Sequence, residues 1–426
     1  MKFDRRDFLK ILPVAPTIIS AAETKSYRGM NDSAGWRADA HKRIEQHRKD
    51  DFKVRIIESV EKPVKNLKVD ISLYRHHFGF GAAPKLARFY DQRFSAEVRG
   101  LYHDFCEVLF HKLTPENSLK WKHYKNNKKF VEPFLAWCKQ KKIPVRGHCL
   151  VWPEFRRAPK SIEKLRGDPK ALGLAIREHI KFMIDNFDYP VTEWDVLNEA
   201  VNHDQYMRIL GKEAVREWFQ LVKNLNPGIK KYINDYSVLT KNNVRHRKRY
   251  YRYIRNLLDS GVPIDGIGFQ SHIPKGFNPT PPEEIIRIAD DFSNLGPELQ
   301  VTEFDFETSN QDLQARYTQD FLTAIFSHQK MTGLITWTPF EYAKNNVPKP
   351  EAALIDKDLQ FKPNGLVWYE LINKQWMTKL SGYTDEDGYL NFRGFKGRYL
   401  VSISHAKEET FDIDLSDRNE SVITLT

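Results

Sequence analysis

Two glutamates carry the first chemical signal in this chain. Glu199 follows the segment Trp194-Asp195-Val196-Leu197-Asn198, and Glu303 follows Leu299-Gln300-Val301-Thr302. A pair of carboxyl groups can divide the cleavage of a glycosidic bond between them. One protonates the leaving oxygen, and the other attacks the anomeric carbon or activates water. The neighbours assign the roles. His272 and Asp305 lie close to Glu303 in the expected arrangement. An imidazole donating to a carboxylate favours the ionised form, and Asp305 would orient that imidazole. Glu303 is therefore expected to be the nucleophile. Glu199 has fewer evident donors in its own segment, which suits the acid/base. Asn198 offers an amide to a sugar hydroxyl, and Trp152 and Trp337 offer flat apolar faces to a sugar ring.

These residues do chemistry together only if a fold gathers them. Short apolar segments recur at 78–83, 110–114, 145–150, 193–197, 231–233, 266–269, 299–302 and 334–337, each followed by helix-like sequence. Amphipathic stretches at 171–186, 245–258 and 312–328 lie among them. Eight strand–helix repeats predict a closed parallel (β/α)8 barrel, in which loops at the C-terminal ends of the strands carry the site. An open doubly wound sheet is the competitor. It requires a Gly-rich phosphate turn, and Gly79-Phe80-Gly81 continues as Ala82-Ala83-Pro84 without the further glycine. The polar residues that terminate the predicted strands are Glu116 and Asn117, His148, Asn198 and Glu199, Asn234 and Asp235, Gln270 and His272, Glu303 and Asp305, and Trp337.

The flanks read differently. Residues 39–51 are charged and predicted helical, 52–73 alternate as two or three short strands, and 382–426 read as a small β module around an Asp385-Glu386-Asp387-Gly388 turn. The expected division is 1–26, 27–77 with a helix and β segment, 78–378 as the barrel, and 379–426 as the C-terminal β module. That module is expected to be structural and to pair with the strands before Phe78. Within 1–26, Arg5-Arg6-Asp7-Phe8-Leu9-Lys10 precedes an apolar run from Ile11 to Ala22. This resembles a twin-arginine export signal. The run is too short to span a membrane. The expectation is a protein of the periplasm or exterior, with no membrane insertion once the signal is removed.

The net charge is +11, but no zinc-finger or RNA-recognition pattern accompanies it, so no nucleic-acid partner is expected. The three cysteines, Cys106, Cys138 and Cys149, match no disulfide framework or metal spacing and are expected to be buried apolar residues. His148, His272 and Glu303 lack the spacing of a metal-ligand motif, and no metal or other cofactor is expected. A monomer is expected.

The segments Glu116-Asn117-Ser118-Leu119-Lys120-Trp121, Arg146-Gly147-His148-Cys149-Leu150-Val151-Trp152, Trp194–Ala200, Gly266–His272 and Val301–Asp305 together resemble the family 10 glycoside hydrolases, the endo-β-1,4-xylanases. The resemblance runs from about Phe78 to Leu371. It implies retaining hydrolysis of xylan, with Glu199 as acid/base, Glu303 as nucleophile, and His272 with Asp305 tuning Glu303. It further implies that Glu116, Asn117, Lys120, His148, Trp152, Asn198 and Gln270 bind xylose units on the non-reducing side, and that Trp337 packs under the reacting sugar. The flanking strands look like those of plant-type members, including Phe395-Lys396-Gly397-Arg398-Tyr399. The chain departs from the family in one respect. Members commonly carry a second tryptophan soon after that of strand eight, whereas Thr338 to Val347 contain none and offer only Tyr342 in its place.

Overall fold

A computed structural model describes residues 26–59, 62–187, 189–240, 243–341, 350–404 and 408–425. The export-signal expectation falls almost wholly on residues 1–25, and Tyr342 with its neighbours to 349 is likewise outside the described residues.

The N-terminal flank holds a helix, Gly35–Arg48, then β1 (Lys49–Ser59), β2 (Lys62–Pro63) and β3 (Lys68–His76). Eight parallel strands follow as β4 (Gly79–Ala82), β5 (Lys112–Leu113), β6 (Val145–Gly147), β7 (Val191–Asn198), β8 (Lys230–Asp235), β9 (Gly266–Phe269), β11 (Glu298–Phe306) and β12 (Met331–Thr336). A two-residue strand, β10 (His272–Ile273), pairs only with β11. Pairing of β12 with β4 and of β9 with β11 closes the ring, so the predicted (β/α)8 barrel is the fold. Each predicted barrel segment overlaps its strand, although β7, β8, β11 and β12 begin earlier than 193, 231, 299 and 334.

The helices that wrap the barrel are started by local chemistry. Asp168 caps Pro169–Asn186 by accepting from the Ala171 N–H at 2.9 Å, and a proline at the first helical turn sacrifices no hydrogen bond. Asn243 and Asn310 cap Val244–Asp259 and Gln311–Ser327 in the same way. Cys106, Cys138 and Cys149 are buried free thiols, as their spacing implied.

The lumen is polar where a barrel core is usually filled by branched aliphatic side chains. Alternation along β7 sets Glu193 and Asp195 on one face of the strand. Arg146 of β6 lies 2.9 Å from Glu193, donates to both oxygens of Asp195, and stacks 4.2 Å from the centre of the Tyr232 ring. Lys112 of β5 adds a second cation at 2.7 Å from Glu193. Trp194, between the two acids, fills the space beside Gly147, where a Cβ would lie 2.2 Å from its ring.

The N-terminal helix, expected over 39–51, spans Gly35–Arg48: it starts earlier and stops sooner, because Lys49 to Asp51 already belong to β1. Their cross-strand partners are Phe395, Gly394 and Arg393, so long-range pairing overrides the local helical bias. The C-terminal strands are β13 (Lys379–Tyr383), β14 (Tyr389–Phe395), β15 (Gly397–Ser404), β16 (Glu408–Asp414) and β17 (Glu420–Thr424). They interleave with the N-terminal ones. One sheet runs β14-β1-β17 with β2 on its edge, and another runs β13-β3-β15-β16. Neither flank makes a sheet alone. The helix Gly35–Arg48 ties this assembly to the barrel: Arg48 donates to the Phe326, His328 and Met331 carbonyls, and Arg37 pairs with buried Asp320.

Removing a buried cation that neutralises two buried carboxylates is strongly destabilising. Arg146→Ala is expected to lower unfolding free energy by about 3–5 kcal/mol. Urea denaturation at neutral pH measures this, and a loss below about 1 kcal/mol would show that the lumen relaxes around the vacancy.

Candidate active site

The C-terminal ends of the strands bring the two glutamates, the two histidines and the tryptophans to one end of the barrel. Glu303 lies inside β11 and is buried. Its Oε2 is 3.2 Å from Nε2 of His272, whose Nδ1 is 2.8 Å from Oδ2 of Asp305. The parallel pairing of β10 with β11 sets His272 directly opposite Asp305. Its Oε1 accepts from Nδ2 of Asn234 at 3.0 Å and lies 3.9 Å from Nε2 of His148. Burial by itself would push this carboxyl's pKa up. The charge of His148, the hydrogen bond and charge of His272 and the charge of Lys120 outweigh it and bring the value down to about 2.

Glu199 stands immediately beyond β7 with φ +56°, a left-handed backbone that a side chain bearing a Cβ adopts at a cost. Its N–H donates to the Asn234 carbonyl at 2.8 Å, which ties the turn to the end of β8. The Glu199 carboxyl has two polar partners, against three around Glu303. Gln270 donates to its Oε1 at 2.8 Å, and Nε2 of His203 lies 3.3 Å from its Oε2. Both partners come from outside the segment that precedes Glu199. Gln270, expected among the sugar-binding residues, is thus attached to the carboxyl itself.

Asn198 and Asn234 bridge the two glutamates. Nδ2 of Asn234 donates to both Oδ1 of Asn198 (3.1 Å) and Glu303, and Oγ1 of Thr302 donates to Oδ1 of Asn234 at 2.8 Å. The remaining cleft residues gather around one cation. Lys120 donates to Asn117 at 2.6 Å and sits 5.0 Å from the Trp152 ring and 5.4 Å from the Trp337 ring. Trp337 meets His148 edge to face at 5.4 Å, and Arg157 stacks on Trp152 at 3.9 Å. Burial pushes the Glu116 carboxyl up in pKa, against the pull of Lys85 and Lys120. All twelve predicted residues therefore sit around the C-terminal ends of β5 to β12.

A model of the family described as glycosyl hydrolase family 10 matches residues 72–380. The chain belongs to that family. Among relatives, it is 25% identical over 377 residues to the anti-sigma-I factor RsgI6 of Acetivibrio thermocellus, covering 87% of this chain and 47% of that protein. It is 24% identical to endo-1,4-beta-xylanase 1 of Arabidopsis thaliana, covering 72% of this chain and 33% of the other. It is 29% identical to a beta-1,4-xylanase of Dictyoglomus thermophilum, covering 63% and 78%. The chain thus spans less than half the length of the first two. Xylanase 10B of Thermotoga petrophila, solved with xylobiose, shares the fold with a TM-score of 0.62 at 24% identity, covering 70% of this chain and 95% of that one.

The family 10 barrel also gives work to residues without an assigned role in the sequence reading. Asn234 was visible as a strand-end residue, but its hydrogen bond to Glu303 depends on a neighbouring strand's register. His203 follows Glu199 by four residues, a spacing that had been available as a signal. Arg146 and Asp195 stood within quoted motifs, and their link to His148 (Nδ1 to Asp195 Oδ2, 2.8 Å) appears only once β6 and β7 pair.

Because Glu303 titrates near 2 in the folded chain and near about 4.3 when unfolded, its ionisation stabilises the fold fully above about pH 4.3. That contribution fades as pH falls toward about 2. Wild type is expected to lose stability over this window more steeply than Glu303→Gln, followed as urea midpoint against pH. Parallel curves would show that Glu303 is not held ionised. His272→Ala is expected to move the Glu303 titration upward, read by carboxyl carbon chemical shifts.

Proposed function

We propose that this chain hydrolyses internal β-1,4-xylosidic linkages of xylan with retention, through a glycosyl-enzyme intermediate on Glu303. The carrying observation is the asymmetry of the two carboxyls. Glu303 is clamped as an anion by His272 and Asn234 with His148 beside it, while Glu199 has the donor Gln270 on one oxygen and a titratable partner on the other.

In the first half-reaction Glu303 attacks the anomeric carbon as Glu199 gives its proton to the leaving glycosidic oxygen. The bond from C1 to that oxygen breaks, and an ester to Glu303 forms. In the second, Glu199 takes a proton from water as the water oxygen displaces Glu303. The Nδ2 of Asn198 and the Nε1 of Trp152 are buried without a partner among the described residues, so they are donors for sugar hydroxyls. Lys120 between Trp152 and Trp337 makes a cationic and aromatic wall against which a neutral sugar ring can lie flat. The names of the xylanase relatives support xylan as the substrate. Thr338 to Val347 contain no second tryptophan, which supports a broader tolerance for β-1,4-glucans. On the strength of Arg5-Arg6 and the apolar run beyond them, we further propose export to the periplasm or exterior.

Reducing-sugar release from glucuronoxylan, arabinoxylan and a β-glucan panel tests the substrate. Xylan is expected to be cut fastest, and β-glucan cut in preference would discard xylan while keeping the mechanism. Glu303→Ala is expected to lower turnover by at least about 10⁴-fold. Glu199→Ala is expected to regain turnover of an activated aryl glycoside with azide, giving a β-glycosyl azide. An α-linked product would overturn retention.

A further inference from the structure

His203 sits between two carboxylates. Its Nε2 is 3.3 Å from Oε2 of Glu199, and its Nδ1 is 3.1 Å from Oε2 of Glu154 in the loop after β6. The three side chains are 16%, 11% and 13% exposed, so the contacts lie in a low-dielectric setting. Other charged groups are near. Arg156 pairs with Glu154 at 2.7 Å, Arg157 lies 3.7 Å from the same oxygen, and the Trp152 ring packs edge to face against His203 at 6.3 Å. On the far side of Glu199, Asp235 and Tyr236 contribute further electrostatic influence.

A neutral imidazole has one N–H and one lone pair. With both ring nitrogens facing carboxylate oxygens, a neutral ring bonds to both only if one carboxyl carries a proton. Otherwise the ring itself must be the imidazolium. Two arrangements of one proton are therefore open to the Glu199–His203 contact: Glu199 ionised beside His203 protonated, or Glu199 protonated beside His203 neutral, while Glu154 faces Nδ1 at ion-pair distance without a hydrogen bond to it. Gln270 already occupies the other oxygen of Glu199, so the exchangeable proton belongs to the Oε2–Nε2 contact.

We infer that Glu199 and His203 hold one exchangeable proton between them, with Glu154 as a negative charge beside the other ring nitrogen, and that His203 is the positioning residue that keeps the acid/base supplied. This rests on Glu199 being the acid/base. When the glycosidic oxygen departs, the proton leaves Oε2 of Glu199 for that oxygen, and His203 and Glu199 are then both without it. In the second half-reaction Glu199 takes a proton from the attacking water and the pair shares it again. The hydrogen bond and charge of Glu199, against burial, hold the His203 imidazole above its ordinary pKa. A proton held on His203 is therefore lost at higher pH than a solitary imidazole would lose it. The working form extends into the neutral range.

The test combines histidine nitrogen NMR with pH–rate profiles on the intact chain. His203 is assigned by the signal that vanishes in His203→Asn. In wild type it is expected to titrate above about 6.5, and in Glu199→Gln to titrate lower. For an aryl β-xylobioside, the alkaline limb of kcat/KM in His203→Asn is expected to shift to lower pH by about one unit or more. A purely structural histidine would lower kcat and leave that limb in place. An unmoved His203 titration in Glu199→Gln overturns the shared proton whatever the activity, and so does an unmoved limb in His203→Asn. If wild type cuts neither the glycoside nor xylan while the titration still moves, the hydrolase reading fails and the shared proton stands.

Discussion

Arg146 in the barrel lumen is a buried cation whose charge is balanced by Glu193 and Asp195 of the adjacent strand. Such a group is tolerated only because its partners are complete: each removed partner would leave a charge in a medium that cannot solvate it. The C-terminal end of the barrel, with its two glutamates, is built on this arrangement. Asp195 is shared between Arg146 below and Nδ1 of His148 above, and the other nitrogen of His148 faces Glu303. The ion pair in the lumen therefore fixes the carboxylate that fixes the imidazole beside Glu303. A barrel filled with aliphatic side chains would pack as well and would give His148 no such support.

The same logic separates the two glutamates. Glu303 is buried, and His272, His148 and Asn234 overcome the penalty of that burial by donating to it or facing it with positive charge. Glu199 is set on a left-handed turn with an amide on one oxygen and an imidazole on the other. One carboxyl is held as an anion, and the other faces an amide and an imidazole. Identical side chains thus stand in different surroundings, and their partners come from different elements of the fold.

The flanks follow a different constraint. The C-terminal end supplies five strands and the N-terminal end three, but β1 and β3, which lie between the C-terminal strands in the two sheets, come from the N-terminal end. Interleaving them, β1 between β14 and β17 and β3 between β13 and β15, gives every central strand two partners. The chain makes room for this where β15 begins. Gly397 has φ +155°, and a Cβ there would lie 2.2 Å from the Arg75 carbonyl oxygen. The expectation of a C-terminal module of its own does not describe this assembly, although its pairing with the earlier strands was read from the alternation.

Period and composition determined the barrel, since eight apolar segments separated by amphipathic helices admit few other closed arrangements, and residue type at strand ends determined which side chains could meet. Glu303 with His272 and Asp305 was legible because all three lie on adjacent parallel strands, where short sequence offsets translate into neighbours. The rest required the tertiary structure. Which strand pairs with which, and in what register, decides that Asn234 reaches Glu303, that Gln270 reaches Glu199, and that Asp195 serves Arg146 and His148 together. His203 lay four residues from Glu199 in plain view. Only the turn after β7, together with the loop that carries Glu154, brings its two nitrogens against two carboxylates. The physical reason is that a hydrogen bond depends on distances of a few tenths of an ångström. The sequence specifies such distances only through the packing of every strand and helix around them.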